Sequence, residues 1–182
     1  PWASHFVSGR LTSMHDRASE TFFRYDAAGR RVGVARRLAK PGEPDPQLAT
    51  RYAARTFETS TRFDESGRLA AESLGADAGA AELLGQDGTS EVRYRYDARG
   101  FVDQIDSSYG PLVTSTRHDV EGDIVSTSYG DRAATLATVG YDARKRASTF
   151  ELSRGAPPAG SPAKLEATLL HFDEVGNVTG VD

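Results

Sequence analysis

The sequence predicts an all-β chain: tandem β-hairpins lying side by side in a curved antiparallel sheet. Three observations carry this reading. A five-residue phrase recurs along the chain, its residue types are turn formers, and its flanks alternate with the period of a strand. The phrase is an aromatic residue or His, then Asp, two variable residues and Gly. It occurs as Tyr25-Asp26-Ala27-Ala28-Gly29, Phe63-Asp64-Glu65-Ser66-Gly67, Tyr96-Asp97-Ala98-Arg99-Gly100, His118-Asp119-Val120-Glu121-Gly122 and Phe172-Asp173-Glu174-Val175-Gly176. A sixth copy, Tyr141-Asp142-Ala143-Arg144-Lys145, lacks the Gly, and a seventh, His5-Phe6-Val7-Ser8-Gly9, lacks the Asp. With 19 Phe, Tyr and His, 15 Asp and 18 Gly in 182 residues, chance supplies roughly 0.15 full copies, so five mark a repeat architecture.

Asp-x-x-Gly is turn chemistry. Asp favours the first position of a type I turn and Gly the fourth. The Asp carboxylate accepts hydrogen bonds from nearby backbone amides, and Gly takes a positive φ without a Cβ clash. Each phrase is therefore expected at the tip of a hairpin with a bulge. The aromatic residue before each Asp is expected to pack at the hairpin end. The flanks agree. Phe57, Thr59, Thr61 and Phe63 alternate with Glu58, Ser60 and Arg62 before the Asp64 turn; Val92, Tyr94 and Tyr96 alternate with Arg93 and Arg95 before the Asp97 turn. Thr135, Ala137, Val139 and Tyr141 share one parity before the Asp142 turn. After the turns, Val32 and Val34, then Ile124, Ser126 and Ser128, then Ser148, Phe150 and Leu152 do the same. This period of two marks strands with one face sheltered and one wet.

The phrase, followed by Arg-Leu or a similar pair, resembles the tyrosine–aspartate (YD) repeat of the Rhs family. Tyr25-Asp26-Ala27-Ala28-Gly29-Arg30-Arg31-Val32 and Phe63-Asp64-Glu65-Ser66-Gly67-Arg68-Leu69-Ala70 carry the resemblance best, and Phe172-Asp173-Glu174-Val175-Gly176-Asn177-Val178-Thr179 matches a Gly-Asn variant. It extends from His5 to Val181. The family includes bacterial Rhs polymorphic toxins, insecticidal toxin-complex subunits, wall-associated proteins and teneurins. The resemblance implies hairpins joined into a long spiralling sheet, able to close as a shell around a C-terminal effector. It further implies a secreted or cell-surface bacterial protein, made in the cytoplasm, whose partners are the rest of its own chain and that effector. Self-cleaving relatives carry Asp-Pro-x-Gly-Leu. The one Asp-Pro here, Asp45-Pro46, is followed by Gln47-Leu48, so autoproteolysis is not expected.

Successive ring positions lie 20, 38, 33, 22, 23 and 31 residues apart. The short spacings fit an uninterrupted hairpin repeat, and the long ones imply insertions. These fall near 40–48, which holds Lys40-Pro41-Gly42-Glu43-Pro44-Asp45-Pro46, near 74–89 (Leu74 to Thr89, rich in Ala and Gly), and near 155–163, which opens Gly155-Ala156-Pro157-Pro158. Pro cannot donate to a ladder. A short helical turn fits Ala78 to Leu84. The insertions read as tolerated decoration or as recognition loops, since exposed loops lengthen cheaply. The whole span, 1–182, reads as one repeat array, and both ends fall inside the pattern, as in a piece of a longer protein. Open strand edges would favour self-association.

The net charge, 22 − 26 = −4, argues against a nucleic-acid surface. No apolar run approaches the roughly 20 residues that span a bilayer. Cysteine is absent, so no disulfide braces the chain. No nucleophile elbow, phosphate loop or zinc helix is present, and neither catalysis nor a cofactor is expected. Asp119-Val120-Glu121-Gly122-Asp123 gathers carboxylates but lacks the twelve-residue calcium loop; Asp119 reads as a turn former and no metal is expected. His5 and His118 stand at ring positions and read as packing residues. Trp2 is the lone Trp. Tyr109 and Tyr129, each in Ser-Tyr-Gly, read as equivalent connections between hairpins. The leading functional reading is a structural, non-catalytic part of a shell. The alternative is a surface module that binds carbohydrate or a partner protein; an enzyme is the third, with no motif in its favour.

Overall fold

The six phrases from Tyr25 onward mark the same event in the chain: the aromatic residue or His ends a strand, and the next five residues turn the chain back. The computed structural model describes residues 6–42, 47–73, 75–76, 78–157 and 159–182. Trp2, His5, Asp45-Pro46 and Leu74 lie outside the described residues. Thirteen strands occur among the described residues, and the fold class is all-β, antiparallel and built of tandem hairpins, as the sequence predicts.

The chain divides into two compact units, one reaching Arg93 and the other beginning at Tyr94. In the first unit, β1 (Ser13–His15), β2 (Ser19–Tyr25), β3 (Arg31–Ala39), β4 (Tyr52–Phe63), β5 (Leu69–Ser73) and the start of β6 (Glu91–Tyr96) pair in sequence order, all antiparallel. In the second, β7 (Val102–Ser107), β8 (Gly110–His118), β9 (Ile124–Tyr129), β10 (Thr135–Tyr141), β11 (Ala147–Arg154), β12 (Lys164–Phe172) and β13 (Val178–Val181) do the same. Such connectivity needs only local closures, so every strand finds its partner at low entropic cost.

Alternation places residues on faces by register. Across the first unit His15, Glu20, Arg37 and Thr56 stand opposite one another on one face, while Met14, Thr21, Arg36 and Phe57 share the other. In the second unit Thr138, Glu151 and Ala167 share one face, and Val139, Phe150 and Thr168 the other. Burial is shallow. Ala35, Tyr52, Ala71 and Val92 form the sheltered apolar positions of the first unit and Ala137 that of the second, with no large side chain fully buried among the described residues. Backbone ladders and cross-strand pairs therefore carry much of the stability. Tyr52 is fastened by its hydroxyl, which donates to the Asp16 carbonyl at 2.6 Å.

The insertions enter at the ends of the strands away from the phrases, in the connections β3–β4, β5–β6 and β11–β12. The sequence left the first without structure, yet it ends in a single helical turn, α1 (Leu48–Arg51). The second holds 3₁₀ structure over Ala78–Leu83, broken at Ala80 (φ −137°, ψ 55°), so the expected helical turn is present but interrupted. Tyr109 lies in the tight β7–β8 connection and Tyr129 closes β9. No described helix is long and apolar enough to cross a membrane.

The first copy departs from expectation. Its bend closes from the Arg10 amide to the Val7 carbonyl at 2.9 Å, with Gly9 at φ +71°. The turn is thus displaced by one residue, and Gly9 occupies its third position. Phe6 stands at the Asp position, so this bend has no Asp carboxylate to set it in the register of the other copies.

Gly29 stands at φ +82°, a region that a β-branched residue resists. The Gly29→Val variant is expected to lose about 1–3 kcal/mol of stability, read as a lower midpoint in urea. An unchanged midpoint would contradict the turn geometry.

Candidate functional site: the turn edge

The six complete turns share one hydrogen-bond pattern. The Asp amide donates to the carbonyl four residues on, and the residue at the Gly position donates to the Asp carbonyl. These distances are 3.0 and 2.9 Å at Asp26, 2.8 and 2.9 Å at Asp64, 2.9 and 3.0 Å at Asp97, 2.9 and 3.3 Å at Asp119, 2.9 and 2.9 Å at Asp142, and 3.0 and 3.2 Å at Asp173. Gly67, Gly100, Gly122 and Gly176 hold φ between +81° and +102°. In the sixth turn Lys145 takes φ +62° without being Gly.

The carboxylate locks the bend. One oxygen accepts the amide four residues on: Arg30 at 2.9 Å, Arg68 at 2.8 Å, Phe101 at 2.9 Å, Asp123 at 3.0 Å, Arg146 at 3.0 Å and Asn177 at 2.8 Å. In four turns the same oxygen also accepts the amide two residues on, from Arg99, Glu121, Arg144 or Val175. The other oxygen takes a side chain: Arg30, Arg68 and Arg146 each donate Nε at 2.7 Å, and Asn177 donates Nδ2 at 2.8 Å.

These bonds favour the ionised acid. The Arg68 amide leads in holding Asp64 below its ordinary range, with the Arg68 guanidinium in support. The Arg146 amide and guanidinium do the same for Asp142, and the Asn177 side chain leads at Asp173. At Asp26 and Asp97 desolvation pushes upward, but hydrogen bonds from Arg30 and Phe101 outweigh it.

The residue after the Gly position, which the sequence reading left without a role, couples one hairpin to the next. Arg30 ties its own Asp26 and lies over the Phe63 ring at 4.2 Å. Arg146 ties Asp142 and lies over the Phe172 ring at 4.2 Å. Arg10 covers Tyr25 at 5.6 Å. Phe101 stacks on His118 with centroids 4.8 Å apart and planes at 23°. Ring positions holding Tyr add a second tie: the Tyr25 hydroxyl donates to the Leu11 carbonyl at 2.7 Å and the Tyr141 hydroxyl to that of Ile124 at 2.9 Å. Burial and the Asp123 and Asp119 carboxylates raise the Tyr141 phenol above its ordinary value. Gly serves this coupling too. A Cβ on Gly122 would lie 2.6 Å from the Phe101 ring, closer than packed carbons approach.

Further ties join turns of the second unit. Arg99 donates to the Asp119 carbonyl at 2.8 Å, and Arg144 donates to that of Glu174. Lys145 reaches the Asp119 carboxylate at 2.7 Å and Glu121 at 2.9 Å. Asp119 is held down to about 2, chiefly by Lys145, and Lys145 is pushed up, chiefly by Asp119. The carboxylates of Asp119, Glu121 and Asp123 lie within 4.8 Å of one another, and the Lys145 ammonium supplies their neighbouring positive charge. The edge thus fixes turn geometry and ties hairpins to their neighbours within each unit.

A comparison with models of protein families finds no match, and a comparison with curated proteins finds none either. Solved structures do match. The pore form of the Photorhabdus luminescens Tc holotoxin with a mutated TccC3 is 15% identical, at TM-score 0.72 over 96% of this chain. A TcdB2–TccC3–Cdc42 structure is 15% identical, at TM-score 0.72 over 97%, and a TcdB2–TccC3 structure is 15% identical, at 0.71 over 95%. The fold is of the Rhs, or YD-repeat, type. The chain spans 8% of the length of each of these neighbours.

Two outcomes follow from the turn edge. Arg146→Lys keeps the charge but loses the fork and the flat stack over Phe172, so it is expected to cost about 0.5–1 kcal/mol, seen in thermal unfolding. The Asp values are lowered on folding, so their stabilisation is complete above the unfolded value of 3.8 and is lost as pH falls through the folded values. Stability is expected to fall steeply from pH 4 toward pH 2, with the lower end set by Asp119 near 2. Asp119→Asn should flatten that end of an acid titration followed by circular dichroism.

Proposed function

We propose that this chain is a non-catalytic segment of a toxin-complex-type shell, in a longer secreted bacterial protein whose wall encloses a C-terminal effector polypeptide. The observation that carries this reading is a match to Tc-toxin structures over nearly the whole chain, joined to an edge whose repeated ties are structural. The Asp carboxylates that would be candidate acids or bases are each engaged in closing their own turns, which supports a wall rather than an enzyme. On this reading the partners are the remainder of the same chain and the enclosed effector.

A wall of this kind needs no deep core, because neighbouring hairpins brace one another. A second reading, a surface-binding module, is favoured by one feature: the long insertions of each unit enter at strand ends away from the tied turns. Deleting residues 75–89 would then abolish capture on a glycan or protein array while leaving the β-sheet circular dichroism intact.

The test of the shell is limited proteolysis of the longer natural protein with a nonspecific protease, with fragments identified by mass spectrometry. A protected non-repeat polypeptide, released only on denaturation, is the expected result. Digestion of every segment outside the repeats while the repeats persist would overturn enclosure and leave an open scaffold.

A further inference from the structure

The two faces of the first unit carry their charge differently. On one face ionic groups answer one another in register: Glu20 stands between His15 and Arg37, and its Oε2 accepts Nε of Arg37 at 2.7 Å. On the other face Met14, Thr21, Arg36 and Phe57 form one row across β1 to β4, flanked by Ser19 and Leu38 on one side and by Phe23, Val34 and Thr59 on the other. Both acids of these four strands, Glu20 and Glu58, fall on the first face. The rows of the second face therefore contain no carboxylate.

What that face does carry is arginine among exposed apolar groups. Arg36 donates Nε to the Thr21 hydroxyl at 3.3 Å, a neutral acceptor. Arg31 lies over the Phe23 ring at 5.9 Å and Arg55 over the Phe57 ring at 4.9 Å. Around them Met14 is 44% exposed, Leu38 46% and Phe57 39%, and apolar groups gathered on one surface mark an interaction site where scattered ones do not. Acids stand beyond these rows. Asp16, in the β1–β2 bend, gives one oxygen to the Ser19 and Ala18 amides at 2.7 Å each and also feels Arg36. Asp26 and Asp64 close their own turns. Glu72 of β5 is opposite Thr61, two places further along this face of β4 than Phe57. The face is thus cationic and apolar in a chain whose net charge is −4.

We propose that this face is a docking surface for an extended acidic polypeptide, in which a carboxylate engages Arg36 while apolar side chains on either side of it rest on Met14 and Phe57. The argument is complementarity of charge and of spacing. Arg offers a carboxylate a planar fork of donors, and the pair gains strength where apolar neighbours hold water back. Strands lie about 4.8 Å apart, so the row from Met14 to Phe57 spans roughly 14 Å, with Arg36 at about 10 Å. In an extended chain, side chains on one face recur every ~6.7 Å. Three alternate residues, apolar, acidic and apolar, therefore match the row. A polyanion fits less well: the net negative charge of the chain repels nucleic acid and anionic lipid at long range, whereas one carboxylate among apolar groups answers to the local field of Arg36. The surface belongs to the first unit alone and stands whether or not the longer protein encloses a cargo.

Fluorescence anisotropy on the 182-residue chain tests it with two labelled peptides of about twelve residues. One repeats leucine, serine, glutamate, serine; the other has lysine in place of glutamate. The glutamate peptide is expected to bind about tenfold more tightly than the lysine peptide at low salt, and to weaken as salt is raised. Arg36→Glu is expected to invert the order, so that the lysine peptide binds better, a gain that loss of folding does not produce. Equal binding of the two peptides, binding of neither, or an unchanged order in Arg36→Glu would overturn the proposal. Binding to phosphatidylserine vesicles in place of the glutamate peptide would overturn it too. Should Arg36→Glu fail to fold, a photoreactive leucine analogue in the glutamate peptide decides the matter on the unaltered chain. Crosslinks to Met14, Leu38 or Phe57 uphold the surface, and crosslinks confined to other residues refute it.

Discussion

The carboxylate of each repeated Asp is the constraint on which the rest of the structure depends. It satisfies backbone amides inside the turn and, in four of the turns, seizes the side chain four residues on. A free Arg on a hairpin tip would sample many rotamers, and ordering it costs entropy. Fixed by its own Asp, it is already aimed at the neighbouring ring. At Arg30 and Arg146 one side chain thus closes its turn and covers the next hairpin. The hairpin, marginal in isolation, gains its partner through this link.

The pattern tolerates exchange as long as the physics is kept. At the junction of the Asp97 and Asp119 turns, the covering residue is Phe101 and the covered ring is His118, so ring stacking replaces a cation over a ring. In the sixth copy Lys145 adopts the left-handed conformation that Gly would take freely. Its ammonium bridges Asp119 and Glu121 of the preceding turn, an attraction set against the backbone strain. The first copy, with Phe6 where Asp is expected, keeps a bend but slips by one residue. The Asp, more than the Gly, sets the register.

Two kinds of strand end result in each unit. At one kind, repeated ties restrict the turns to a single geometry and a single length. At the other, connections range from the tight Ser107–Gly110 link to the long stretch between Ser73 and Glu91. Length varies at the ends that do not carry the repeated Asp phrase. A wall needs the first property, and any recognition surface would be built with the second.

The sequence by itself determined the class of fold, because its evidence is local. Asp and Gly three positions apart define a bend within five residues, and alternation of Val, Tyr and Phe with Arg and Ser defines strands within six or seven. The ring positions were legible for the same reason. The role of Arg30, Arg146 and Phe101 was not, since each acts on a ring in a different hairpin, and the distance along the chain between them varies with the insertions. Nor did the sequence disclose the row of His15, Glu20 and Arg37, which exists only because three strands align in register. The slip of the first turn and the interrupted 3₁₀ segment also waited on the structure. Local chemistry chose the turns and the strands; only tertiary pairing decided which side chain of one hairpin meets which of the next, because that choice depends on register across the sheet rather than on neighbours in the chain.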